Sequence, residues 1–331
     1  MLSSWPSPRN DRWGGFVQAR PDEWKDIPMR MGVLDIGSNT GHLLIVDAYR
    51  GGPPVPAHSY KEPLRLSEHL DADNMMTDEG IAKLVKYVQE AQSEAEDRGC
   101  TTVIAFATSA VRDATNADDV LQHVRDASGI DLQVLPGDEE ARLTFLAVRR
   151  WFGWSSGRLG VFDIGGGSLE LACGADETPD VAQSFALGAG RLTREWLDTG
   201  HTPTELRLHI RSAIAGDAGA ILRGGAFDHA VGTSKTFRSL ARICGAASSD
   251  EGPYVRRFLQ HRDLSPLVDQ LAAMDVEEIG ALPGVPPDRA HQILAGALVA
   301  DATMDLFDID KLEICPWALR EGVLLQHLGH L

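Results

Sequence analysis

The stretch Leu34-Asp35-Ile36-Gly37-Ser38-Asn39-Thr40 decides the fold, because the second half of the chain repeats its pattern as Phe162-Asp163-Ile164-Gly165-Gly166-Gly167-Ser168. In both copies an apolar strand ends on Asp and Ile, glycine begins a turn, and small or hydroxyl residues lead into a second strand. Internal repetition of a strand-turn-strand unit is typical of a duplicated fold. We therefore expect two related lobes, each opening with a β-hairpin.

Strand and helix patterns alternate around these two hairpins. Residues 77–98 predict a helix capped by Thr77 and ended by Gly99, and the apolar run 102–107 predicts a buried strand. Further helices are expected over 116–128, with Asn116 as cap, 138–153, 203–222, 235–245 and 287–307, and further strands over 130–135, 159–162, 230–232 and 312–315. This alternation predicts α/β architecture.

The chain divides into an extension and two lobes. We place lobe I at residues 30–153 and lobe II at 154–331, with the last helix packing back on lobe I. Residues 1–29 hold three tryptophans and four prolines without helical or strand periodicity, so we expect a poorly ordered extension. Because Met29 and Met31 directly precede the first strand, residues 1–28 are either an upstream extension or the product of an assigned start that is too early.

Composition excludes several classes of protein. The 331 residues include 31 Lys+Arg and 48 Asp+Glu, a formal net charge of −17, which disfavours nonspecific binding to nucleic acid. A polyanionic ligand would therefore need a local basic patch. No apolar run is long enough for a membrane span or a signal peptide, and the four cysteines form no zinc or disulfide spacing and are expected to be buried thiols. We expect a cytoplasmic protein with no nucleic-acid or membrane partner.

The repeated turns are candidate phosphate-binding loops. Glycine lets the backbone approach an anion and point N–H groups at it, and Ser38, Thr40 and Ser168 add hydroxyl donors. Asp35 and Asp163, at the ends of the preceding strands, are suited to hold a hydrated Mg²⁺ on the phosphate. The alternative is a pair of tight hairpin turns in which Asp merely stabilises the turn.

Two further motifs bring charge to strand and helix ends. Arg112 follows a buried strand, at the end where open α/β sheets bind ligands, and its guanidinium suits a two-bond contact with phosphate. Asp138, Glu139 and Glu140 begin a helix, where acidic residues usually complement the helix dipole. One of these three carboxylates is alternatively a group that orients or deprotonates water.

A basic stripe stands out in this acidic chain. Lys235, Arg238 and Arg242 fall at i, i+3 and i+7 on one predicted helix face. Such a stripe would guide a multiply charged chain, although basic residues on a helix face are most often simply solvated.

These motifs occur in the order found in the exopolyphosphatase and guanosine pentaphosphate phosphohydrolase family, which the chain resembles over about residues 31–328. The segments that carry the resemblance are Asp35–Thr40, Ala107–Ala114, Gly137–Leu143, Asp163–Ser168 and Leu319–Val323. The chain is most similar to the short actinobacterial exopolyphosphatases, which lack a helical C-terminal extension. One departure is Lys235, since the family commonly has glycine at that point of the motif Gly232–Thr236.

The resemblance implies a two-lobed fold of the actin, Hsp70 and sugar-kinase type, built from ribonuclease H-like lobes, with the active site in the cleft between them. It implies that Glu140 is the base that activates water and that Asp35, Asp163 and Glu170 support the metal, Mg²⁺ or alternatively Mn²⁺. The terminal phosphates would be held by Ser38, Asn39, Thr40, Arg112, Gly165, Gly166, Gly167 and Ser168.

The predicted activity is hydrolysis of the terminal phosphoanhydride of inorganic polyphosphate, which releases orthophosphate. The nearest alternative is 5′-phosphohydrolysis of guanosine pentaphosphate, which would connect the protein with the stringent response. An ATP-dependent kinase of the same superfold and a noncatalytic sensor of polyphosphate or an alarmone are further alternatives. We also expect a homodimer.

Overall fold

A computed structural model describes residues 29–49 and 54–330, so the predicted extension lies outside the described residues except for Met29. The first sheet has the strand order β3-β2-β1-β4-β5. Its strands are β1 (Met29–Ile36), β2 (Thr40–Ala48), β3 (Val55–Pro63), β4 (Thr102–Ala107) and β5 (Gln133–Val134). The first three strands are antiparallel, whereas β4 and β5 run parallel to β1.

The second sheet repeats this topology. Its strands are β6 (Leu159–Ile164), β7 (Leu169–Gly174), β8 (Val181–Phe185), β9 (His229–Gly232), β10 (Phe258–Gln260) and β11 (Lys311–Ile314). Its order is β10-β11-β9-β6-β7-β8, and once the edge strand β10 is set aside the orders and directions of the two sheets are identical. The predicted duplication of a ribonuclease H-like lobe is therefore confirmed.

Helices cover both sheets, and those expected over 77–98, 116–128, 138–153, 203–222 and 235–245 lie close to their predicted positions, whereas the helices at 261–273 and 276–280 were not predicted. They are α1 (Asp78–Asp97), α2 (Ser109–Arg112), α3 (Ala117–Ser128), α4 (Gly137–Phe152), α5 (Ala189–Leu192), α6 (Pro203–Leu222), α7 (Lys235–Ile243), α8 (His261–Ala273), α9 (Val276–Gly280), α10 (Ile293–Leu306) and α11 (Leu319–His330). Thr77 caps α1 as predicted, by accepting a hydrogen bond from the backbone N–H of Gly80. The predicted helix at 287–307 begins instead as a 3₁₀ turn, Pro287–Gln292, which leads into α10.

Asn116 departs from its predicted role as a side-chain cap. Its Oδ1 accepts a hydrogen bond from the backbone N–H of Met76 at 2.8 Å, and it gives no side-chain cap to α3. The strand predicted at 130–135 is likewise confined to β5, because only Gln133 and Val134 pair with β4.

Helix α4 is wedged between the two sheets. Its Leu143 packs into a core cluster with Met31 and Phe106 of the first sheet, whereas its Phe145 and Val148 pack against the second. Because Glu140 lies in the first turn of this helix, packing on both sheets fixes where its carboxylate sits.

Helix α11 returns from the second sheet to the first. Val323 and Leu324 join the core cluster of β1, and Gly322 lies directly on the backbone of α4. A Cβ atom at Gly322 would fall 2.0 Å from the Leu143 carbonyl oxygen, so only glycine permits this approach. The helix therefore carries Arg320, at its first turn, into the space between the sheets.

The four cysteines are free thiols: Cys173 and Cys315 are buried, as predicted, and Cys100 and Cys244 are partly buried. Within residues 29–49 and 54–330, no helix is both long and apolar enough to cross a membrane.

Candidate active site

The two repeated turns face each other across the cleft. Gly37 donates a backbone hydrogen bond to Thr40 at 3.1 Å, and Gly165 donates the equivalent bond to Ser168 at 2.9 Å. A Cβ atom at Gly166 would lie 3.0 Å from the Cβ of Ser38, so the absence of side chains in the second turn lets it touch the first. The structure thus brings the predicted phosphate-binding loops together at the carboxyl ends of β1 and β6.

A buried hydrogen-bond network extends around these turns. Ser38 Oγ lies 2.9 Å from Ser109 Oγ, which places the start of α2 against the first turn. The amides of Asn39 and Gln292 bond reciprocally, at 2.9 and 3.1 Å, and Arg289 donates to Thr40 Oγ1 at 3.0 Å. The contacts of Gln292 and Arg289 join the two lobes, and they engage both the Asn39 amide and the Thr40 hydroxyl that the sequence assigned to phosphate.

The predicted metal-supporting carboxylates each have a hydrogen-bond donor. Arg320 Nη1 lies 3.0 Å from Asp35 Oδ2, and Ser184 Oγ donates to Glu170 Oε1 at 2.8 Å. Thr233 Oγ1 donates to Asp163 Oδ2. Asp163 and Glu170 are directly opposite each other on β6 and β7, so the two carboxylates occupy one edge of the cleft.

Glu140 and Arg112 form an ion pair at the same place. Arg112 Nη1 donates to Glu140 Oε1, and the guanidinium also bonds the Leu135 carbonyl oxygen at 3.2 Å and Asp113 Oδ1 at 3.1 Å. Glu140 is 5% exposed, whereas Glu139 pairs with Arg142. Of the three acids that begin α4, Glu140 is therefore the one held inside the cleft.

Burial and like charge perturb these acids. Burial, together with Glu170, raises the pKa of Glu140 well above its usual value, although Arg112 opposes the shift. Burial and the nearby Asp163 raise the pKa of Glu170 to about 7. Burial also raises the pKa values of Asp35 and Asp163. The pKa values of all four neighbouring carboxyls are thus raised, which is a common condition of catalytic acids and bases.

Five cationic side chains gather on the other side of the turns, and we call them the basic cluster. Its members are Lys61, Lys235, Arg238, Arg289 and Arg320. Burial first, and then the positive charges of its neighbours, lower the pKa of Lys61 and of Lys235. So many like charges in a partly buried space favour a bound polyanion.

The basic cluster only partly matches the predicted stripe on α7. Lys235 and Arg238 belong to it, but Arg242 packs beside Gly284 and donates to the Ala246 carbonyl oxygen at 2.8 Å. The other three cations come from β3, the 3₁₀ turn before α10 and the start of α11.

Equivalent positions of the two lobes differ in charge. In the second sheet the row across the strands reads Asp163, Glu170, Ser184, whereas in the first it reads Asp35, His42, Lys61. Burial and the cations around His42 lower its pKa to about 2, so this imidazole is neutral and hydrogen-bonds Ser59 Oγ at 2.8 Å. One side of the cleft is therefore acidic and the other basic.

The donor set suits a hard cation that shares its coordination with substrate. No three His, Cys, Asp or Glu side chains of the described residues are arranged to hold a metal ion by themselves. Mg²⁺ usually takes one or two carboxylates and fills its remaining positions with water and phosphate oxygen. The buried carboxylates of Asp163 and Glu170, whose negative charges repel each other, fit that role.

Sequence patterns did not indicate Lys61, Arg289, Arg320 or Gln292 as site residues. Arg320 stood in the Leu319–Val323 motif, which was the one available signal. The other three lie in segments without a recognisable motif.

Comparison with known proteins identifies the family to which the chain belongs. The model of the Ppx/GppA phosphatase family matches residues 45–331, and the chain belongs to this family. Two solved structures share the fold: an exopolyphosphatase from Cytophaga hutchinsonii, with TM-score 0.81 and 24% identity over 92% of this chain and 99% of that one, and the Aquifex aeolicus PPX-GPPA enzyme, with TM-score 0.75 and 24% identity over 91% and 100%.

Closer similarity is found among curated proteins. The chain is 52% identical over 304 residues to Exopolyphosphatase 1 of Mycobacterium tuberculosis, which covers 91% of this chain and 88% of that protein. It is equally identical to Exopolyphosphatase 1 of Mycobacterium leprae, over 91% of this chain and 90% of the relative.

Proposed function

We propose that this protein is an exopolyphosphatase, which hydrolyses the terminal phosphoanhydride of inorganic polyphosphate and releases orthophosphate. The observation that carries the proposal is the meeting, in one cleft, of two glycine-bearing turns, a buried acid and the basic cluster. The turns are suited to bind the terminal phosphate, Glu140 is suited to activate the attacking water, and the cations are suited to bind the rest of the polyphosphate chain. The names of the 52% identical relatives support the same activity.

Phosphoryl transfer depends mainly on positioning and on neutralising charge. Backbone N–H groups of the turn 165–168 and the guanidinium of Arg112 would hold the terminal phosphate. A divalent metal held by Asp163 and Glu170, with Asp35 nearby, would supply charge neutralisation on the phosphate oxygens. We propose Mg²⁺ in this role, with Mn²⁺ as its competitor in a metal titration.

Glu140 would place and deprotonate the attacking water. The water oxygen forms a bond to the terminal phosphorus, the bridging oxygen leaves with the shortened chain, and the proton passes to the Glu140 carboxylate. Arg112 contacts this carboxylate in the structure, and an incoming phosphate offers the guanidinium a second anionic partner. Substrate binding would thereby loosen the hold of Arg112 on the base.

Measuring orthophosphate release from purified protein tests the proposal. The panel contains polyphosphates of defined length, guanosine pentaphosphate and ATP, each with Mg²⁺. We expect turnover on polyphosphate; faster turnover of guanosine pentaphosphate would instead identify the alternative hydrolase. Transfer of phosphate from ATP to an acceptor would indicate a kinase, and binding of polyphosphate without release would indicate a sensor.

Glu140→Gln provides the mechanistic test. We expect it to bind polyphosphate normally and to lose at least about a hundred-fold in kcat, since that is the usual contribution of a general base. Glu139→Gln is the matched control, because Glu139 pairs with Arg142 outside the cleft. Near-normal kcat in Glu140→Gln would remove Glu140 from its role.

The expected homodimer is a separate prediction, which sedimentation of the same preparation tests.

A further inference from the structure

A pocket of about 500 Å³ opens beside the candidate active site, against α4 and the edge strand β8. Arg112 and Ser168 belong both to its wall and to the site. The rest of its lining carries three aspartates, Asp113, Asp138 and Asp217. The pocket thus adjoins the place where the terminal phosphate would react, and Arg112 and Ser168 separate the two.

The charge of this pocket is opposite to that of the other side of the site. None of the five members of the basic cluster is among the described residues that line it. Arg112 is its one cationic side chain among those residues, and Arg112 already contacts Glu140 and Asp113. Glu140 and Glu170 lie between the two regions, because Glu140 is bonded to Arg112 and Glu170 is next to Asp163 and Arg112.

Polyphosphate carries about one negative charge on every phosphate, so the chain is attracted to the basic cluster and repelled by Asp138 and Asp217. Asp113 contributes little to this repulsion, because Arg112 and Arg191 both pair with it. A single phosphate beside Arg112 and Ser168 still has favourable partners. A second phosphate beyond it would face Asp138 and Asp217 with no further cation among the lining residues. The charges therefore allow one phosphate unit to project past Glu140.

We infer that this pocket is the release route for orthophosphate, on the opposite side of the site from the bound chain. The inference rests on the proposed function. Each released phosphate leaves past Asp138 and Asp217, whose charge disfavours its rebinding, while the shortened chain stays on the basic cluster. Release of product then does not require the chain to dissociate.

Asp217→Lys tests the release route. Asp217 is exposed on α6, so the substitution reverses a charge in the pocket without touching Glu140 or the basic cluster. We expect added inorganic phosphate to inhibit Asp217→Lys at a roughly three- to tenfold lower concentration than it inhibits the wild type, as screened Coulomb attraction over a short distance gives. A single-turnover measurement should show unchanged chemistry. Asp217→Asn, which removes one charge, should shift inhibition in the same direction by less.

Asp269→Lys is the matched control, since it makes the same charge change at an exposed site on α8, outside the pocket. Inhibition by phosphate that is unchanged in Asp217→Lys, or that increases equally in Asp269→Lys, would overturn the release route. If the wild type releases no phosphate from polyphosphate, the proposed function itself fails. The two failures are therefore distinguishable.

Discussion

Gly322→Ala tests whether the contact between α11 and α4 is what positions Arg320. The new Cβ would lie 2.0 Å from the Leu143 carbonyl oxygen and 2.6 Å from its carbonyl carbon. Cβ atoms essentially never come within 3.0 Å of another heavy atom, so α11 must move away from α4 by about 1 Å. Both obstacles are backbone atoms of a packed helix, which have no rotamer with which to move aside.

The expected loss of stability follows from two opposing effects. Overpacking of this kind costs about 1–3 kcal/mol, and replacing a helical glycine by alanine returns up to about 1 kcal/mol. We expect a net loss of about 1–2 kcal/mol in the free energy of unfolding, measured by urea titration. A 1 Å retreat would also stretch the 3.0 Å bond between Arg320 and Asp35, so KM for polyphosphate should rise.

Gly329→Ala is the matched control in the same helix. A Cβ atom there would meet nothing within 4 Å, so the variant should be as stable as the wild type or slightly more stable, with unchanged KM. Equal stability of Gly322→Ala and the wild type, or equal destabilisation of both variants, would refute the packing argument. If Gly322→Ala loses stability but keeps an unchanged KM, the contact between α11 and α4 stabilises the fold without positioning Arg320.

Two further predictions concern charge. Lys235→Ala should weaken the binding of long polyphosphates more than that of short ones and flatten the salt dependence of KM. Arg242→Ala on the same helix should change neither, because Arg242 is not among the charges that lower the pKa values of Lys61 and Lys235. Equal losses at every chain length would contradict a binding track. Glu170→Gln should be more stable than the wild type at pH 8 but not at pH 4.5 when urea unfolding is measured without metal. The pKa of Glu170 rises from 4.5 to about 7 on folding, so between these two pH values the native state binds more protons than the unfolded state. The free energy of unfolding of the wild type therefore falls by up to about 3 kcal/mol as pH rises through this range. A rise in wild-type stability over the same range would contradict this sign.

The fold was predictable because its deciding signals are local. A strand that ends on Asp, followed by glycine and hydroxyl residues, forms the same hairpin turn at both of its positions in this chain, so the two copies revealed the duplication. Helix α1 was equally clear from its Thr77 cap and terminal Gly99. The missed strand β3 has two prolines and mostly exposed residues, a composition that argues against a central strand and is tolerated here because β3 lies at the sheet edge.

The basic cluster was only partly predictable because its members come from four elements. A stripe at i, i+3 and i+7 detects neighbours on one helix, and it correctly put Lys235 and Arg238 together. The same stripe also included Arg242, which lies outside the basic cluster. Arg242 is in the last turn of α7, and its guanidinium donates a hydrogen bond to the Ala246 carbonyl oxygen, just beyond the helix. Arg289 and Arg320 join through the packing of distant segments, for which a single sequence carries no periodic signal.

Duplication alone would give a cleft with the same charges on both sides. The two sheets have identical strand orders, yet the position that holds Glu170 in one holds His42 in the other, and Ser184 is matched by Lys61. Because the strand orders are the same, these side chains contribute to the acidic and basic sides of the cleft, together with Glu140 and the arginines of the basic cluster. The two ends of linear polyphosphate are identical, so either end can enter, and in both cases the terminal phosphate lies beside Glu140 only when the rest of the chain lies on the cations. The repeated frame therefore supplies the two facing turns, and the side chains that differ between its copies help to distinguish the acidic side of the cleft from the basic side.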